Sequence, residues 1–152
     1  MKQSAIESFH IVGIEIRTTN ENNQAMEDIP KLWKRFMAEQ IAGLIPSKMN
    51  DTIYCVYTDY ESDHAGPYTV ILGCQVASFG NVPDGMRLVT IEGGTYQVVT
   101  KRGNVMKGLV VEGWHEIWHA PIQRSFKADF EVYDHRAANP EDAEVDIFVS
   151  IS

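Results

Sequence analysis

The chain has 152 residues, of which 44% are hydrophobic and 22% charged, a composition that suits one globular domain. The formal charge of −8, with 13 scattered Lys and Arg residues, opposes nonspecific nucleic-acid binding and favours cationic partners. No apolar run reaches the roughly 18 residues of a membrane span, and the first residues lack a secretory signal. We therefore expect a soluble, cytoplasmic, single-domain protein without a membrane partner.

The first half of the chain is predicted to be β-α-β-β. β-Branched and apolar runs predict the strands, and apolar positions three and four residues apart predict the helix. Pro30 could break or restart this helix, and Pro46 is expected to end it. Cys55 and Cys74 lie in the strand-like runs, which favours buried free thiols. The predicted elements are strands at 9–17, 53–60 and 69–78 and a helix at 25–45.

The second half repeats this order. Its predicted elements are a strand or broken strand at 86–91 and 96–101 around Gly93-Gly94, a helix at 104–119 capped by Asn104, and strands at 126–133 and 145–151. Tyr57 corresponds to Tyr133 at an offset of 133 − 57 = 76, and Trp33 corresponds to Trp114 at 114 − 33 = 81. We therefore predict an α+β fold of two similar halves, about 1–80 and 81–152, related by pseudo-twofold symmetry. One antiparallel sheet, two main helices and a ligand cleft between the halves are expected.

Glu131 is the candidate binding residue. In a strand, Glu131 and Tyr133 point to one face while Phe130 and Val132 point to the other. If the apolar pair faces the helices, Glu131 lies on the opposite face of the sheet. The alternative is that Glu131 is a solvated charge on an exposed sheet face.

Aromatic residues are expected to surround this carboxylate. Strand parity assigns Phe148 to the face of Glu131, and the repeat brings Tyr57 beside it. Trp33 and Trp114 lie on the two helices, where they could reach the cleft or belong only to the core. A carboxylate among aromatic rings attracts an organic cation through its charge and through the ring faces.

The segment 115–119 matches H-E-x-x-H, a zinc-binding pattern in which two histidines one helical turn apart ligate the metal. Against this interpretation, Pro121 ends the helix directly after His119, and no convincing third ligand follows. We predict that His115 and His119 are surface residues and that the protein holds no metal and needs no cofactor.

The chain resembles the GyrI-like family, the effector-binding domains attached to AraC- and MerR-type transcription regulators and also found as single domains. The resemblance is carried by the segments 29–36, 56–60, 93–96, 130–133 and 145–149 and by Trp114. It is particularly similar to the free-standing drug-binding proteins of integron gene cassettes. Ser150 stands where the family usually has a proline.

This resemblance implies a duplicated fold with a hydrophobic cleft in which a glutamate, here Glu131, receives cationic or aromatic ligands. The expected ligand-binding residues are Glu131, Tyr57, Tyr133, Trp114, Phe148 and Trp33. Two other functions stay open. The protein could be a hydrolase with Glu131 as general base and Tyr57 or Tyr133 as acid, or it could act on a partner such as DNA gyrase or a transcription regulator.

Overall fold

The computed structural model describes residues 1–77 and 81–152. The strands in this part of the chain are β1 (Lys2–Ile6), β2 (Phe9–Thr18), β3 (Ile53–Thr58), β4 (Tyr68–Val76), β5 (Arg87–Ile91), β6 (Gly94–Gly103), β7 (Ala128–Tyr133) and β8 (Ala143–Ser150). The α-helices are α1 (Gln24–Ala38), α2 (Ile41–Leu44) and α3 (Leu109–His119). Within the described residues, no helix has the length and apolar character that crossing a membrane requires.

All eight strands form one sheet in the order β1-β6-β8-β7-β3-β4-β2-β5, and every pairing is antiparallel. The trio β3-β4-β2 of the first half meets the trio β7-β8-β6 of the second half at the β3–β7 pair. The edge strands are exchanged, because β1 pairs with β6 of the other half and β5 pairs with β2. This order confirms the predicted duplicated α+β fold.

The two halves meet at the registered pair Cys55–Glu131 of β3 and β7. These two residues are also equivalent to each other in the sequence repeat, since 131 − 55 = 76. A pair of equivalent residues facing each other lies on the pseudo-twofold axis. Tyr57 and Tyr133 are therefore placed on opposite sides of Glu131, each two residues away from the axis.

Both faces of the sheet are buried. On one face, side chains of α1 and α3 pack onto β2, β3, β4 and β8 in the larger core cluster, which includes Phe36, Leu72, Ile117 and Ile147. On the other face a second cluster forms from Ile11, Val56, Ile71, Ile91, Tyr96, Ala128 and Phe130. Cys55 and Cys74 are buried free thiols, as predicted.

The predicted helix at 25–45 is two helices in the structure. It continues through Pro30, ends at Ala38, and resumes as α2 after Gln40, whose φ of 50° lies in the left-handed region. No Gly or Pro marks this break in the sequence, so periodicity alone joins the two segments.

The predicted helix start at Asn104 is also corrected. The Asn104 side chain accepts a hydrogen bond from the Met106 backbone N–H and caps a short 3-10 turn, not the α-helix. Gly108, with a φ of 79°, separates that turn from α3. The α-helix therefore begins only at Leu109.

Two further differences concern the strands. The polar edge strand β1 is absent from the sequence prediction, although it pairs with β6 over five residues from Lys2 to Ile6. Ser78, the predicted end of the strand at 69–78, and the predicted boundary near residue 80 lie outside the described residues.

Candidate functional site

Glu131 is buried at the centre of the sheet, with 1% of its surface exposed. It faces the helices, because its carboxylate accepts a hydrogen bond from Trp114 of α3. The condition considered for the sequence, that Phe130 and Val132 face the helices, is not met: both residues belong to the cluster on the far face. Alternation along β7 shows which residues share a face of the sheet. Because both faces of this sheet are apolar, it does not show which of them carries the helices. Burial also excludes the alternative of a solvated charge.

Three aromatic side chains donate hydrogen bonds to the Glu131 carboxylate. The Tyr57 hydroxyl donates to Oε2 at 2.5 Å, and the Trp114 Nε1 donates to the same oxygen at 2.7 Å. The Tyr133 hydroxyl donates to Oε1 at 2.5 Å. The two tyrosines approach from opposite sides, as their symmetric positions on β3 and β7 require.

Gly113 lies on the side of α3 that faces the sheet, one residue before Trp114. A Cβ atom at Gly113 would lie 2.7 Å from Cδ1, the end of the Ile147 side chain, so the glycine leaves room for that methyl group. Ile147 is the registered partner of Glu131. Gly113 and Trp114 are thus both buried over the part of the sheet that carries Glu131.

Aromatic rings form the walls of the site in a crossed arrangement. Trp33 of the first half packs edge-on against Tyr133 of the second, with ring centroids 4.7 Å apart. Trp114 of the second half packs edge-on against Tyr57 of the first, with centroids 5.0 Å apart. Each helix tryptophan thus contacts the strand tyrosine of the other half.

The two aromatic pairs differ in their exposure. Trp114 and Tyr57 are buried, whereas Trp33 and Tyr133 are partly exposed. The Trp33–Tyr133 pair is therefore the outer wall of the site, and the Trp114–Tyr57 pair is its inner wall.

Burial raises the pKa of Glu131, and the hydrogen bonds from Tyr133, Tyr57, Trp114 and Cys55 offset part of that rise. Burial, with the neighbouring carboxylate adding to it, raises the pKa of Tyr133 well above its usual range, and burial does the same for the pKa of Tyr57, so both remain donors. Among the described residues, no Lys, Arg or His forms an ion pair with Glu131. The site thus combines a buried carboxylate with neutral partners only.

Phe148 does not lie with the other predicted site residues. Its ring stacks on Phe130, with centroids 4.7 Å apart and planes 8° from parallel, in the cluster on the far face. Phe148 is the registered partner of Phe130, whereas Ile147 is the partner of Glu131. The prediction that Phe148 shares the face of Glu131 is therefore wrong. The predicted site residues that do come together are Glu131, Tyr57, Tyr133, Trp114 and Trp33.

Asp129 is a second buried carboxylate that the sequence prediction missed. It lies two residues before Glu131 on the same face of β7 and is 0% exposed. Its Oδ2 accepts hydrogen bonds from Tyr60 at 2.5 Å and from Arg124 Nη2 at 2.7 Å. Its Oδ1 accepts one from the Ser150 backbone N–H at 2.8 Å. The alternation of Asp129 with Glu131 is the sequence signal that could have found it.

The H-E-x-x-H segment lies on the exposed side of α3. Lys101 Nζ binds the Glu116 carboxylate at 2.7 Å, and His119 Nδ1 lies 2.7 Å from the His115 carbonyl oxygen. The part of the chain that the structure describes contains no cluster of three or more His, Cys, Asp or Glu side chains suited to a metal ion. The absence of a bound metal stays a prediction.

The chain is a duplicated antiparallel α+β domain with a buried carboxylate between its halves. The family model of the integron-associated effector binding proteins, Cass2, matches residues 4–151, and the chain belongs to this family. It is 32% identical over 143 residues to YobU of Bacillus subtilis (strain 168), covering 91% of this chain and 89% of that one. YobU has been proposed to be a transcriptional regulator.

Two solved structures show the same fold. The integron cassette protein VCH_CASS2, from the mobile metagenome of Vibrio cholerae, superposes with a TM-score of 0.76 and 26% identity. That comparison covers 99% of this chain and 95% of VCH_CASS2. SAV2435, solved bound to tetraphenylphosphonium, superposes with a TM-score of 0.79 and 19% identity, covering 99% of this chain and 93% of SAV2435.

Proposed function

We propose that this effector-binding protein takes up amphipathic organic cations of drug-like size at Glu131. The observation that carries the proposal is the pairing of this buried carboxylate with neutral donors only. Burying a carboxylate is costly unless a positive charge compensates it. A cation that enters the site supplies the missing charge.

The aromatic walls favour the same class of ligand. The negative faces of Trp and Tyr rings attract a desolvated cation, and the rings also offer apolar contact to the rest of the ligand. Trp33 and Tyr133 form the partly exposed outer wall. Because Glu131 itself is 1% exposed, a ligand needs a side chain to move, and we propose that this partly exposed outer pair moves.

The hydrogen bonds assign roles to the inner residues. Tyr57 and Trp114 hold Oε2 in place, so the carboxylate does not have to reorganise when a cation arrives. Tyr133 donates to Oε1 and also belongs to the outer wall. A movement of Tyr133 that admits a ligand therefore also changes the hydrogen bonding of the Glu131 carboxylate. The tetraphenylphosphonium bound to SAV2435 is a lipophilic cation and supports this ligand class. For this binding we propose a sensing or sequestering role.

The test compares tetraphenylphosphonium with tetraphenylborate, two ions of nearly the same shape and opposite charge. Both are titrated by calorimetry into the wild type and into Glu131→Gln, which keeps the shape of the side chain. We expect the cation to bind the wild type and to lose about 1.5–3 kcal/mol in the variant, the range for contacts to charged groups. The anion should not lose affinity. Equal changes for both ions, or no binding of the cation, would overturn the proposal.

A further inference from the structure

Arg124 lies beside the proposed cation site and is itself almost completely buried. Its side chain is 6% exposed, and its Nη2 donates to Asp129 at 2.7 Å. Within the described residues, Nε and Nη1 of Arg124 are buried without a hydrogen-bond partner, as is the Ser125 hydroxyl. Unpaired buried donors are rare and costly, so these nitrogens call for an acceptor.

Trp114 connects Arg124 to the carboxylate site. The Arg124 guanidinium carbon lies 5.8 Å from the Trp114 ring centroid, while the indole nitrogen of that residue donates to Glu131. The same guanidinium lies 4.4 Å from the centroid of Phe126, whose φ of 56° is in the left-handed region. Nη2 of the guanidinium is thus bound to Asp129, and Nε and Nη1 remain buried without a hydrogen-bond partner among the described residues.

We infer that the unpartnered Nε–H of Arg124 forms a second subsite, which donates a hydrogen bond to a neutral oxygen of the cationic ligand. This inference rests on the proposed function of Glu131 and narrows its ligand class. Asp129 already balances the charge of Arg124, so a further carboxylate would be repelled by Asp129. A carbonyl oxygen of an amide, ester or ketone accepts the bond without adding charge.

The test uses two trimethylammonium ligands of similar shape, para-carbamoylbenzyl trimethylammonium and para-isopropylbenzyl trimethylammonium. The readout is the ratio of their affinities. In the wild type we expect the carbamoyl ligand to bind about 10-fold tighter or more, as for a hydrogen bond to a charged group. In the paired variant Arg124→Met with Asp129→Asn, which removes both charges together, the ratio should fall to about one.

A second measurement uses the wild type alone, in case the paired variant does not fold. The Nε–H resonance of Arg124 should shift when the carbamoyl ligand binds and should shift much less with the isopropyl ligand. Equal affinities of the two ligands for the wild type, or an Arg124 resonance that responds to neither ligand, would contradict the proposed subsite. These nitrogens would then be hydrogen-bonded to water. If the isopropyl cation also fails to bind, the proposed function fails with it.

Discussion

Asp129 and Glu131 lie two residues apart on the same face of β7, and both are buried, yet their surroundings differ. Asp129 binds the cation Arg124 and accepts a backbone hydrogen bond from Ser150. Glu131 accepts bonds only from neutral groups, among them two tyrosine hydroxyls and one indole. The first carboxylate is compensated within the fold, and the second is not. This difference supports a structural role for Asp129 and is the basis on which we propose Glu131 as the ligand-binding carboxylate.

The largest expected effect comes from Asp129→Asn. This variant leaves the buried charge of Arg124 uncompensated, which costs about 3–5 kcal/mol of stability. Chemical denaturation monitored by circular dichroism measures this loss. Glu131→Gln is the matched control, because it makes the same carboxylate-to-amide change on the same strand. A loss of less than about 1 kcal/mol for Asp129→Asn would contradict the assigned role.

Tyr57→Phe is expected to cost about 1.5–3 kcal/mol of stability, because its hydroxyl donates to a charged acceptor. Tyr68→Phe is the control. Tyr68 packs against Tyr57 but donates to the neutral Asn20 side chain, so its loss should be about 0.5–1.5 kcal/mol. The cost at Tyr57, measured by chemical denaturation, should shrink in a Glu131→Gln background. Equal costs in both backgrounds would show that the bond to Glu131 is not the source.

Glu131→Gln should stabilise the ligand-free protein by about 1 kcal/mol or less at neutral pH. Its carbonyl can accept from Tyr57 and Trp114, and its amide can donate to the Tyr133 oxygen, which reverses the direction of that bond but keeps all three side chains hydrogen-bonded to residue 131.

The raised pKa of Glu131 fixes the sign of the pH dependence. The folded wild type holds the Glu131 proton more tightly than the unfolded chain, so it loses stability as pH rises from the ordinary 4.5 through the higher pKa of the folded state. The advantage of the glutamine variant should therefore disappear on acidification. Thermal unfolding of both proteins across this pH range tests this expectation. A glutamine variant less stable than the wild type at neutral pH would contradict the claim that the charge of Glu131 is buried without compensation.

Phe148→Leu should have the smallest effect on binding. Phe148 stacks on Phe130 across the sheet from Glu131, so the affinity for tetraphenylphosphonium should change by less than about 0.5 kcal/mol. Calorimetric titration of the variant, beside a Trp33→Leu variant on the outer wall, measures the difference. A loss at Phe148 as large as the loss at Trp33 would place the ligand on the other face.

The sequence is sufficient to predict the repeat and most of the side chains that surround Glu131. The offset of 76 residues relates Tyr57 to Tyr133, and the structure places these two hydroxyls on the same carboxylate. The helix tryptophans Trp33 and Trp114 also lie where the repeat predicts. A repeat can be recognised because equivalent positions keep equivalent side chains.

The sequence does not predict in the same way which face of the sheet carries Glu131, or that Asp129 is a second buried carboxylate. Alternation shows which residues share a face, but Phe130 and Phe148 are apolar because the far face is also buried. The partner of Asp129 is Arg124, in the irregular segment before β7, and no periodic pattern fixes where such a segment directs its side chains. The exchanged strand β1 is not predicted from the sequence because it is stabilised by long-range pairing with β6.

The most direct measurement of the central claim is the pKa of Glu131 itself, followed through its carboxyl carbon resonance with and without tetraphenylphosphonium. Burial without a compensating cation predicts a value above the ordinary 4.5 in the free protein. It also predicts that the bound cation lowers this value, because the positive charge favours the ionised form. A pKa at or below the ordinary value in the free protein, or one that the cation leaves unchanged, would contradict the account.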